Sequence, residues 1–206
     1  MSTVIIDGPE LAEHTFIFAH GAGAGMAHDF MADVAARVAS KGVRVVRFNF
    51  PYMIKRAEDG KKRPPDRAPV LLDTYRDIIA EYGTEKTVIG GKSMGGRMAS
   101  HLGDIKGLKG IVCLGFPFHP PGKPEKDKGE HLATLSVPTL ILQGERDTFG
   151  NRAELETYPL PESVQLTFIP DGDHSFKPRK VSGHTESGNR QLAADLIANF
   201  IQRVCQ

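Results

Sequence analysis

The sequence predicts an α/β fold: a mostly parallel sheet of six or seven strands with helices on both faces. Three observations predict it. Short apolar runs rich in Val, Ile and Phe recur along the chain, segments of helical periodicity separate them, and the runs are mostly apolar rather than strictly alternating, as strands covered on both faces should be. Alternating strand and helix implies right-handed crossovers, which set the helices on the two faces. Ligands of such sheets bind beyond the carboxyl ends of the strands, so chemistry is sought in the segments that follow each strand.

The strand-like runs are residues 15–19, 43–50, 87–90, 110–116, 139–143 and 165–169, with 4–6 as a further candidate at an edge. Phe30, Val34 and Val38 mark one face of a helix that Gly42 is placed to end, and Leu71, Tyr75, Ile78 and Tyr82 mark a second, ended by Gly83. A helix-compatible stretch covers 96–102. Leu192, Leu196 and Phe200, offset against Ala193, Ile197 and Ile201, form the stripe of a last covering helix. Residues 56–69, with the run KKRPPDR, and 117–130, rich in Pro, Gly, Lys and Glu, read as exposed loops.

At 206 residues the chain can bury roughly 70% of its unfolded surface, so residues 1–206 are expected to form a single domain around one core. Basic and acidic side chains number 26 and 25, which leaves no global field to recruit nucleic acid or a membrane surface. The basic run 61–63 lacks interleaved aromatics and meets two prolines at once, as a solvated loop would. A small-molecule, ester-like partner is the expectation. Cys113 and Cys205 fit neither a metal knuckle nor a disulfide framework, and no cofactor is expected. The first ten residues lack a leader's basic and apolar regions, and no apolar run approaches ~18 residues, so a cytoplasmic protein is expected.

The strongest chemical signal is Gly91-Lys92-Ser93-Met94-Gly95, between a strand-like run and a helix-compatible one. A serine in a sharp strand-to-helix turn needs small neighbours two positions before and after it, so that strand and helix can approach. A hydroxyl is a weak nucleophile and requires a base, itself oriented by a third group. Gly144-Glu145-Arg146-Asp147 follows the run 139–143 and offers Asp147 as the acid, with Glu145 the alternative. Asp171-Gly172-Asp173-His174 follows the last run and offers His174 as the base, with His184 the alternative. Asp173 adjoins His174 and is better placed to shape the turn. Oxyanion donors are expected from the amide of Met94 and from the loop His20-Gly21-Ala22-Gly23-Ala24-Gly25, through Ala22 or Gly23. That loop lacks the Gly-Lys-Ser/Thr ending of a phosphate-binding loop.

Over nearly its whole length the sequence resembles the α/β-hydrolase superfamily, through HGAG at residues 20–23, GKSMGGR at 91–97, GERD at 144–147 and DHSF at 173–176. Within it, HGAGAG together with GKSMGGR resembles a branch of small bacterial hydrolases that is similar to an animal testis-expressed protein and to a subunit of a histone-acetylating complex. The resemblance implies a serine hydrolase acting on a small ester or thioester through an acyl-enzyme. A non-catalytic interaction module that keeps the fold is the competing reading, against which the ordered Ser, Asp and His argue.

Many members of that superfamily carry a sizeable helical lid where this chain has only residues 117–138, room for a loop and a short helix near 131–135. A minimal lid and an open cleft are expected, bordered by Tyr52, Met53, Phe116, Phe118 and His119. The side chain before such a serine is expected to point away from the mouth. For Lys92, and for Arg97 one helical turn on, an ion pair behind the turn is therefore the first expectation and contact with an anionic substrate the second.

Overall fold

The computed structural model describes residues 4–206. Within them the chain builds strands β1 (Val4–Asp7), β2 (Thr15–Ala19), β3 (Arg44–Phe48), β4 (Thr87–Lys92), β5 (Gly110–Leu114), β6 (Thr139–Gly144) and β7 (Val164–Ile169). They form one sheet in the order β1-β3-β2-β4-β5-β6-β7. All neighbours are parallel except the edge strand β1, which runs antiparallel to β3. The expected α/β architecture is present, and the edge candidate at 4–6 is a strand.

Six helices cover the sheet: α1 (Asp29–Ala39), α2 (Pro51–Asp59), α3 (Ala68–Tyr82), α4 (Met94–Ser100), α5 (Arg152–Leu155) and α6 (Glu186–Val204). Successive strand residues face opposite ways, so each strand feeds two cores. Phe16 and Phe18 of β2 pack with α1 and α6 on one side. Ile17 and Ala19 pack with α2, α3 and α4 on the other.

Several boundaries differ from the sequence reading: β4 runs on to Lys92, α4 covers Met94–Ser100 rather than 96–102, and α3 already begins at Ala68, inside the expected loop 56–69. The run 43–50 ends as a strand at Phe48, and Phe50 caps α2, so residues 56–59 are helical rather than loop. Pro51 presets the first turn, Gly60 at φ 70° closes the last, and only Tyr52 and Met53 bury a face. Two buried residues in nine leave a composition that looks like loop. The run 110–116 ends at Leu114 because Gly115 turns to φ 62°. Near 131–135 there is a single 3₁₀ turn, Glu130–Thr134. The four-residue α5 is too short to show a period in the sequence; its start is closed by a reciprocal cap between Asn151 and Glu154.

Tyr75, read from the sequence as part of an apolar stripe, does more than fill space. Its buried hydroxyl lies within hydrogen-bond distance of the carbonyls of Gly90 (2.6 Å) and Ile17 (3.1 Å), with one hydrogen to donate between them, and accepts from Gly90 N (2.9 Å). It thereby fastens α3 to β2 and β4 just before the Gly91–Gly95 turn. Tyr75→Phe should lower unfolding free energy by about 1–3 kcal/mol, because it strands buried backbone groups. Denaturant titration measures this; a loss below about 0.5 kcal/mol would show that the backbone finds other partners.

Candidate active site

β4 reaches its carboxyl end at Lys92, and α4 begins two residues later. A Cβ on Gly91 would lie 2.5 Å from the carbonyl carbon of Gly95, and one on Gly95 would lie 2.6 Å from the carbonyl oxygens of Ala19 and His20. Strand, helix and the end of β2 therefore meet with no side chain between them. The turn forces Ser93 to φ 51°, ψ −116°, a strained conformation for a residue bearing a Cβ.

Ser93 Oγ stands 2.9 Å from His174 Nε2, and His174 Nδ1 stands 2.8 Å from Asp147 Oδ2. A carboxylate only accepts, so Nδ1 carries the ring proton and Nε2 is free to accept the serine hydroxyl's. Asp147 is fully buried. Its Oδ1 accepts from Phe149 N, and its Oδ2 accepts also from Gln143 Nε2. The Phe149 ring leans on the imidazole at 4.3 Å between centroids. Neither Gln143 nor Phe149 was singled out from the sequence, and their only signal is proximity to Asp147.

The alternatives are occupied elsewhere. Glu145 accepts from Arg152 Nη2 and from Asp171 N, which ties the loops after β6 and β7 together. His184 is exposed in the turn before α6. Asp173 accepts from Ser175 N and Lys177 N and shapes the turn that presents His174.

The loop after β2 is held from behind. His20 is buried, its Nδ1 donates to Gly21 O (2.7 Å), and its Nε2 accepts from Phe50 N. Burial pushes this imidazole down to about 4, so it stays neutral. The Tyr52 hydroxyl reaches the carbonyls of Gly21 and Ala22, and Arg56 Nη1 donates to that of Gly23. In a trans peptide unit the carbonyl and the following N–H point opposite ways. Tethering the Gly21 and Ala22 carbonyls on one side therefore turns the amides of Ala22 and Gly23 to the other.

A cleft of about 310 Å³ opens on Ser93 and His174, lined also by residues 21–24, His28, Phe30, Met31, Lys92, Phe149 and Ser175. None of the five side chains expected at its border lines it. Tyr52 is the tether just described, and burial raises its hydroxyl to about 12. Phe116 and Phe118 pack into the core on the α2–α4 side because their segment folds down onto Leu132. Met53 packs in the same core and borders a neighbouring hollow with Asn49 and Arg56. His119 is buried against Pro120 O and Glu154. Nor, among the described residues, do Lys92 and Arg97 make ion pairs behind the turn. Arg97 donates to Lys128 O, whereas Lys92 lies in the wall of the cleft. Phe30 and Met31 were invisible as lining residues, since their spacing reads as core.

A family model described as an alpha/beta hydrolase domain matches residues 12–202. Among solved structures, a dienelactone hydrolase from Anabaena variabilis superposes with a TM-score of 0.71 at 20% identity, over 98% of this chain and 92% of that one. An esterase from Thermogutta terrifontis gives 0.71 at 15% identity, over 99% and 94%. An α/β serine hydrolase without a lid from Xanthomonas campestris gives 0.68 at 19%, over 97% and 88%.

Because the contacts at the Gly91–Gly95 turn are with backbone, they cannot be relieved by a rotamer change. Gly95→Ala should destabilise the fold by at least about 3 kcal/mol, the upper end for overpacking. Urea titration of the variant checks this, and a loss under about 1 kcal/mol would mean that α4 can slide away.

Proposed function

The chain belongs to the alpha/beta hydrolase domain family, and we propose that within it the protein is a serine hydrolase that cleaves a small ester or thioester. The observation that carries the reading is the continuous hydrogen-bonded line from Ser93 Oγ through His174 to Asp147. In this mechanism Ser93 Oγ attacks the substrate carbonyl as its proton passes to His174 Nε2. Asp147 holds the ring in the productive tautomer and stabilises the imidazolium. The carbonyl oxygen becomes an oxyanion that accepts from Met94 N–H and from Ala22 or Gly23 N–H. Those amides make no hydrogen bond among the described residues. The tetrahedral intermediate collapses by expelling the alcohol or thiol, which takes the proton from His174. Water then attacks the acyl-serine, giving its proton to His174, and the acid product leaves as Ser93 recovers its hydrogen. Proton transfer of this kind is worth about 10²–10⁴-fold, and each oxyanion donor about 3–4 kcal/mol.

The open cleft supports a small substrate. Residues 117–138 do not rise over it, because Phe116, Phe118, Leu132 and Val137 anchor that segment in the core. A long acyl chain would find little surface to bury beyond the ~310 Å³ cleft, at roughly 0.8 kcal/mol per methylene.

A fluorophosphonate probe should label Ser93, and His174→Ala should abolish the labelling. Asp147→Asn should slow it on the order of 10³–10⁴-fold with the fold intact, whereas Glu145→Gln should change it far less. Well-folded protein that takes no label would overturn the reading and favour a scaffold that keeps only the fold. Ester hydrolysis should fall off for acyl groups beyond about eight carbons, each lost methylene contact being worth ~0.8 kcal/mol, with no jump in rate once the ester aggregates. A steady climb with chain length in the same assay would count against the open cleft.

A further inference from the structure

Lys92 is more than nine-tenths buried, yet its Nζ makes no hydrogen bond among the described residues. An ammonium held out of water without a partner is costly, and proteins rarely keep one without a use. Its position is specific. The Nζ and His174 Nδ1 both lie within 3.2 Å of the point that a Cβ on Gly115 would occupy, and the Nζ stands 5.6 Å from the centre of the Phe30 ring. The ammonium is thus wedged between the base and the first turn of α1, just behind the cleft that opens on Ser93, and the residue contributes to that cleft's wall.

The rest of the wall agrees in sign. No residue lining the cleft is acidic. The eleven-residue helix α1 starts there, with its cap residue His28 and its first-turn residues Phe30 and Met31 in the lining, so its positive end is directed at the same space. Asp29, the acid of that turn, does not line the cleft. Arg190 lies 5.4 Å from the centre of the same Phe30 ring, but it is engaged by Asp33 and Glu186. Lys92 is therefore the unengaged cation. Burial pulls its ammonium down to about 8 while Asp147 and Asp173 pull the other way, so it is still largely charged at neutral pH.

We infer that the cleft selects substrates whose acyl part carries a free carboxylate, which Lys92 Nζ and the amino end of α1 receive. The inference rests on the hydrolase reading. The acyl part is the one concerned because it stays on Ser93 while the leaving group must escape, and a buried charge suits the part that stays. A carboxylate fits better than a phosphate, since a single ammonium neutralises a monoanion and leaves a dianion half compensated.

The test compares ethyl hydrogen succinate and ethyl hydrogen glutarate with their neutral isosteres, ethyl 4-methylpentanoate and ethyl 5-methylhexanoate, by titrating the acid released. The wild-type chain should prefer the charged ester by about tenfold or more in kcat/KM, the effect of one charge-assisted hydrogen bond. Lys92→Met should erase the preference, mainly through KM. A wild-type ratio at or below one, or a preference that survives in folded Lys92→Met, overturns the inference. Calorimetric titration of the glutarate monoethyl ester, a monoanion, into the Ser93→Ala protein reads the anion site without turnover and without relying on the lysine variant to fold. Lys92-dependent binding with no ester cleaved would keep the anion site and sink the hydrolase reading. Neutral esters cleaved as well as charged ones, with no glutarate monoester bound, would do the reverse.

Discussion

Where β4 passes into α4 the backbone of residues 91–95 comes so close to the carbonyls of Ala19 and His20 that a single methyl would overlap them, and much of the site's geometry follows from that contact. The approach fixes the angle of α4 to the sheet and with it the strained turn that presents Ser93. It also fixes the end of β2 and therefore the loop that begins at Gly21. His174 and Asp147 arrive from the ends of β7 and β6, on strands whose register with β4 and β5 is set by parallel ladders. A displacement of the turn would leave those two side chains bonded to each other and facing nothing.

The polar groups behind the site divide the work of keeping it rigid. Gln143 is wholly buried and directs its amide at Asp147, Phe116 O and Gly150 O together, which fixes the carboxylate and the turn after β6. His20, Tyr52 and Arg56 do the same for the loop after β2. Because the Gly21 and Ala22 carbonyls are tied on the far side, the amides of Ala22 and Gly23 are held in one orientation by the fold itself.

Much of this was legible in the sequence, for a reason that can be stated. Glycines at positions 91 and 95 and the order of Ser93, Asp147 and His174 are local features, visible because a sharp turn restricts residue type and because strand ends follow apolar runs. What was not legible depends on direction. Tyr52, Phe116 and Phe118 follow strands, as lining residues do, but only the three-dimensional packing shows that they point into the core. Phe30 carries the spacing of a buried stripe, and it and Met31 are indeed buried under α1, yet both also reach the wall of the cleft at the first turn of that helix. Lys92 is expected from the sequence to reach an ion pair behind the turn, and only the packing shows its side chain running between His174 and α1 instead. Helix α2 was missed because two buried residues in nine make too faint a period.

The sheet divides the interior into two cores that do not share side chains, and the chain's two cysteines fall on opposite sides of it. Cys113 belongs to the core under α2, α3 and α4, with its thiol against Gly96 O, and Cys205 closes the core under α1 and α6. With the sheet between them, the native fold keeps the two sulfurs from bridging each other. Cys113, wholly buried, is a gauge of its own layer, since a thiol reagent reaches it only when the core under α2, α3 and α4 opens, whereas Cys205 borders a surface hollow with Lys86 and Lys109 and reports on the end of α6. A thiol on each side of the sheet thus separates opening of the deep core from fraying of the terminal helix.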